Sequence, residues 1–121
     1  MFKRYIVEFG TGADIHGKDV TKAAKKAVKD AVSHGCLCGI FEILGIKDAG
    51  SQIKTDMILA APYPDEINVE EVKAQVPMGN VNVEVKKGGL EVRGLYEKEF
   101  GEGDSILLVN AALTVYVEVD E

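Results

Sequence analysis

The chain opens on a run of apolar positions in which Phe2 and Ile6 fall on one side and Tyr5, Val7 and Phe9 on the other. This predicts a strand over residues 2–9 that is apolar on both faces and ends where the glycines begin. From Val20 the period changes. Val20, Ala23, Ala24, Ala27, Val28, Ala31 and Val32 recur at helical spacing, with Asp19 placed as an N-cap and Gly35 as a terminator. Small alanines let such a helix lie close on a sheet. Lys18, Lys22, Lys25, Lys26 and Lys29 take its other side, which reads as a solvated face, with a docking surface for an acidic partner as the sharper alternative.

Further on, Ile40–Ile46 fits either a strand or a short helix. Met57–Ala61 reads as a buried strand stopped by Pro62 and Pro64, and Asn68–Gln75 as a short helix with Asn68 as N-cap and Pro77 beyond it. Val81, Val83 and Val85 alternate with polar residues, Gly88-Gly89 follows, and Leu90 and Val92 alternate again, which predicts a hairpin. An acidic loop, Gly101–Asp104, precedes a long extended segment over Ile106–Val119, where Asn110 marks a bulge or break. The order predicts one domain, residues 1–121, of the α+β class: a mixed β-sheet with helices on one face. Its uncovered face, apolar in several strands, predicts a homo-oligomer.

Composition narrows the classes. At 121 residues, 46% hydrophobic and 28% charged, the chain can bury a core of its own. Glu8 interrupts any signal-peptide core and Ile106–Leu113 is too short to span a bilayer, so a cytoplasmic protein without membrane contact is expected. The net charge of -6 disfavours nucleic acid. It divides unevenly: residues 1–64 hold nine Lys/Arg and seven Asp/Glu, residues 65–121 five and thirteen. Cys36 and Cys38 read as unpaired thiols acting as small buried hydrophobes, with redox or metal sensing as a remote alternative.

The candidate chemistry lies at Gly10-Thr-Gly-Ala-Asp-Ile-His-Gly17, at the mouth of the helix, where backbone N–H groups lack intrahelical partners. Gly10, Thr11, Gly12, Gly17 and Lys18 are expected to form a small-molecule site, with Lys18 meeting an anionic group. Asp14 and His16, one residue apart, suit a carboxylate that orients an imidazole for proton transfer. Structural alternatives stand beside these: a tight glycine turn, a local cap or Asx-turn for Asp14, and a structural histidine at position 16. Asp14 and His16 are too few for a zinc site, and His34, Cys36 and Cys38 lie at the far end of the helix, so no metal ligand is assigned.

The run FGTGADIHGKDVTKAAKKAVKDAVSHGCLCG resembles the signature of a family of small uncharacterised proteins with a Gly-x-Gly-x-Asp-x-His-Gly motif, here Gly10, Gly12, Asp14, His16 and Gly17. The similarity extends over the whole chain, including APYPDEINVEEVK and VNVEVKKGGLEV. The first third is also similar, more distantly, to the C-terminal domain of the tubulin/FtsZ superfamily. That likeness implies a β-α-β-α-β-β mixed sheet of the chorismate-mutase-like class. It does not carry over GTP hydrolysis, because the phosphate-loop domain is absent. The expectation is therefore a homo-oligomer with a small-molecule site at Gly10–Gly17 and no assigned cofactor or reaction. The alternative is a non-catalytic interaction module in which that loop is a rigid turn at a subunit contact.

Overall fold

Strand β1 (Phe2–Asp14) runs straight through the glycines expected to end it. In the computed structural model, which describes residues 1–94, 99 and 104–120, it pairs antiparallel with the last strand from Phe2↔Glu118 to Asp14↔Leu107. Of the acidic loop only Asp104 falls within the described residues. One irregularity, between Arg4 and Ile6, shifts the alternation by one residue. Phe2 and Ile6 therefore face opposite sides rather than sharing one. Asn110, expected to bulge, sits in unbroken register opposite Thr11 and Ala60.

Helix α1 (Val20–His34) forms where the apolar stripe placed it, buries Val20, Ala23, Ala24, Ala27, Val28 and Ala31, and packs on β1 and the last strand. Asp19 caps it by accepting from Lys22 N at 3.1 Å. A single turn, α2 (Ala49–Gln52), leads into β2 (Ile53–Ala61), and a 3-10 turn at Pro64–Glu66 leads into α3 (Val69–Lys73), capped by Asn68. Strands β3 (Asn80–Lys87), β4 (Leu90–Arg93) and β5 (Ser105–Glu118) complete a five-stranded sheet. Ile40–Ile46 is neither strand nor helix but a series of turns.

The expected hairpin does not form. β3 runs parallel to β2, whereas β4 pairs antiparallel with β5 at Leu90↔Leu108 to Arg93↔Ser105. Its cause lies in β2, which stops at Pro62 and leaves the Ser105–Leu108 edge of β5 open. Gly88 N donates to Ala61 O at 3.0 Å, and Gly89, at φ +65, has the Leu108 carbonyl where a side chain would be, so the chain steps across from β2 to β5. The sheet is mixed, in the order β1-β5-β2-β3, with β4 in line beyond β2.

The helix-covered face holds two buried clusters. The larger lies under α1 and includes Met57, Leu59, Val109 and Leu113; the smaller gathers Ile40, Ile46, Ile53, Val115 and Val117 under the turns that follow α1. Among the described residues no helix packs on the opposite face.

Candidate functional site

Gly10 and Gly12 lie on the covered face of β1, directly beneath α1. A Cβ at Gly10 would overlap Ala27 O and Ala31 N, and one at Gly12 would overlap Ala23 O and Ala27 N. The two glycines and the alanines of α1 thus form one contact that sets the helix close on the sheet. Neither glycine has positive φ; among the described residues the left-handed glycines are Gly39, Gly45, Gly79 and Gly89. This corrects the tight positive-φ turn expected at these glycines, which lie instead within β1. Thr11 faces the other side of the sheet, and its amide donates to Asp30 Oδ2 at 2.9 Å, closing part of the β1 edge.

Asp14 is buried at the end of β1. Its Oδ2 accepts from Gly17 N at 3.1 Å and Asp19 N at 2.8 Å, so the carboxylate ties the connecting loop to the helix start, and Lys22 Nζ lies 3.9 Å from Oδ1. Half-buried His16 lines the same cleft of about 460 Å³, together with Gly17, Lys22 and Lys26. Lys18 is not among the residues lining this cleft. It adopts φ +52, and its Nζ lies 3.7 Å from Glu91 and 4.7 Å from the centre of the Tyr63 ring, while Tyr63 donates to Glu91 at 2.6 Å. The hydrogen bond from Tyr63, with Lys18 beside it, holds the Glu91 carboxyl below its ordinary range. The structure therefore brings Asp14, His16 and Gly17 together and separates them from Gly10, Thr11, Gly12 and Lys18.

Cys36 and Cys38 are exposed, not buried as expected, because the chain leaves α1 as an irregular segment over the surface. Tyr5 donates its hydroxyl to Cys38 O and fastens that segment to β1. Among the described residues no three His, Cys, Asp or Glu side chains cluster to hold a metal ion. No helix there is long and apolar enough to cross a membrane.

A second cavity, of about 330 Å³, lies at the other end of α1, at the seam between the two buried clusters. Its floor is Glu8, Ile53, Thr55, Leu113 and Val115; its walls are Val32 and Gly35 to Leu37 on one side and Val76 to Met78 on the other. Glu8 is 9% exposed, and no described residue hydrogen-bonds or pairs with its carboxylate. Burial pushes its pKa up. Gly35 leaves the room this carboxylate occupies, since a Cβ there would coincide with Glu8 Oε2. Sequence reasoning passed over Glu8. The available signal was a lone acid on the same strand face as Gly10 and Gly12, concealed by the phase shift between Arg4 and Ile6.

A family described as "Conserved hypothetical protein (Lin0512_fam)" matches residues 4–115. Among solved structures, an FtsZ-like protein of unknown function from Nostoc punctiforme PCC 73102 is similar at 36% identity over 97% of each chain, with a TM-score of 0.82. No curated protein matches the chain. The chain belongs to the Lin0512 family of conserved hypothetical proteins, and its mixed α+β fold is that of an FtsZ-like protein.

Proposed function

We propose that this member of the family acts by assembly, as a cytoplasmic interaction module in which two copies close their helix-free sheet faces on each other. One observation carries the reading. Among the described residues, every large exposed apolar side chain that belongs to a strand lies on that face: Phe2, Val7, Phe9, Ile58, Leu90 and Val92, with Phe9 70% exposed. Contiguous exposed apolar faces of this kind mark interaction sites, which favours a protein contact here.

Charge and area favour a second copy as the occupant. The charged strand residues on the open face are Arg4, Lys54 and Lys86 against Asp56, Glu84 and Glu118, a balance of zero in a chain of net charge -6. Two identical faces of this composition meet without net repulsion, and a two-fold axis sets cation against anion. At about 3.3 Å by 4.8 Å per residue, the strands span roughly 760 Å², close to the roughly 800 Å² per partner of a standard interface.

A second reading keeps the cleft at Asp14, His16 and Gly17 as a small-molecule site, with His16 as acid/base and Asp14 its orienter. It is favoured by those side chains lining one concavity beside Lys22 and Lys26. Native mass spectrometry of the wild type, Phe9→Glu/Ile58→Glu and His16→Ala separates the two. Assembly is supported by a dimer mass in the wild type and a monomer in the double variant, and refuted by a monomeric wild type. A retained metabolite lost only in His16→Ala supports the second reading.

A further inference from the structure

Glu8 sits where an apolar side chain would serve the fold better. It lies on the covered face of β1, opposite Leu113, at a seam walled by Val32, Leu37, Val76 and Met78. A carboxylate largely withdrawn from water without a partner opposes folding. Here no described residue supplies one, and Gly35 leaves open the volume the carboxylate fills. Thr55, 2% exposed, is the other polar side chain of the cavity floor and stands across β5 from Glu8. Among the described residues of the lining, Glu8 is the only charged one and Cys36 the only other titratable one.

A chamber of about 330 Å³ falls within the range of small-molecule sites, and apolar walls with a few fixed polar groups are how such sites are built. Its single fixed charge is negative. We propose that this cavity binds a small organic cation, a primary amine on an apolar chain or ring, with the ammonium on Glu8 and Thr55 and the apolar body between Leu113, Val115 and Met78. The site is on the helix-covered side of the sheet, so it is independent of the assembly face. Its walls come from segments of separate origin, the end of α1 and the α3–β3 connection. Occupancy therefore ties these two together across the seam between the clusters.

The chemistry sets the selectivity. An ammonium gives Glu8 the charge-assisted hydrogen bonds that the protein withholds; an alcohol of the same shape fills the cavity but does not neutralise the charge, and a carboxylate adds a second anion beside the first. Amine binding strengthens as Glu8 ionises, because the protonated acid offers no charge.

The test titrates the full chain with 2-phenylethylamine, 2-phenylethanol and 3-phenylpropanoate, followed by the NMR shifts of the Leu113, Val115 and Met78 methyls. The expected result is saturable binding of the amine, weaker by about tenfold or more for the alcohol, and none for the carboxylate. Glu8→Gln is expected to bring the amine down to the alcohol's affinity. Gly35→Ala, whose methyl displaces the carboxylate, is expected to weaken the amine and spare the alcohol. No saturable amine shift, or equal affinity for amine and alcohol in the wild type, overturns the proposal even if Glu8→Gln does not fold; equal amine affinity in a folded Glu8→Gln also overturns it.

Discussion

Glu8 is the residue at which physical chemistry departs furthest from what packing alone requires. Burial raises its carboxyl pKa above the ordinary 4.5, so over an interval of pH the folded chain holds a proton that the unfolded chain has released. Stability is then greatest below that ordinary value and falls as pH rises through the interval up to the raised one. Glu8→Gln is expected to gain about 1 kcal/mol over the wild type at neutral pH. The gain disappears in acid, below the ordinary carboxylate range. Urea denaturation at both pH values checks it, and a variant less stable at neutral pH would show that the carboxylate is held by a partner. The residues legible from sequence were those acting locally: Asp19 and Asn68 as caps, and Asp14 as the acceptor of nearby backbone amides. Glu8 and Gly35 were not, because their relation joins positions 27 residues apart in sequence and depends on the irregularity between Arg4 and Ile6.

At the scale of elements, α1 and β1 are a matched pair. The helix brings alanine, the strand brings glycine, and the backbone of Ala23, Ala27 and Ala31 fills the space above Gly10 and Gly12. Adding a methyl group at Gly12 meets backbone, which cannot turn aside, so Gly12→Ala is expected to cost about 1–3 kcal/mol or more. Chemical denaturation measures it, and a change within about 0.5 kcal/mol, the scatter of surface substitutions, would mean that the helix is not in contact there. Periodicity made this helix legible because its apolar stripe is an intrinsic property of fifteen residues. The pairing of β3 and β4 was hidden, since alternation of Val81, Val83 and Val85 fixes which side faces the core and not which strand lies alongside. That choice was made at Pro62, where β2 ends and β5 is left with an open edge. The Gly-x-Gly pattern was read as a loop for a similar reason: glycine signals a missing side chain, and only the helix above tells whether a turn or a close approach uses the gap.

For the whole molecule, the sheet divides two roles. Its covered face carries α1, the Asp14–His16 cleft at one end and the Glu8 cavity at the other. Its open face carries an apolar patch with balanced charges. The assembly proposed above would use this open face, to which β4 still turns Leu90 and Val92 in the corrected topology. The most direct test is an isotope-filtered NOE experiment on a mixture of labelled and unlabelled chains. Assembly through the open face requires contacts between copies from the methyls of Val7, Ile58, Leu90 and Val92, with none from the lysine-bearing side of α1. Contacts between copies that arise from α1, or none at all at concentrations where the wild type sediments as a single species of monomer mass, would contradict it.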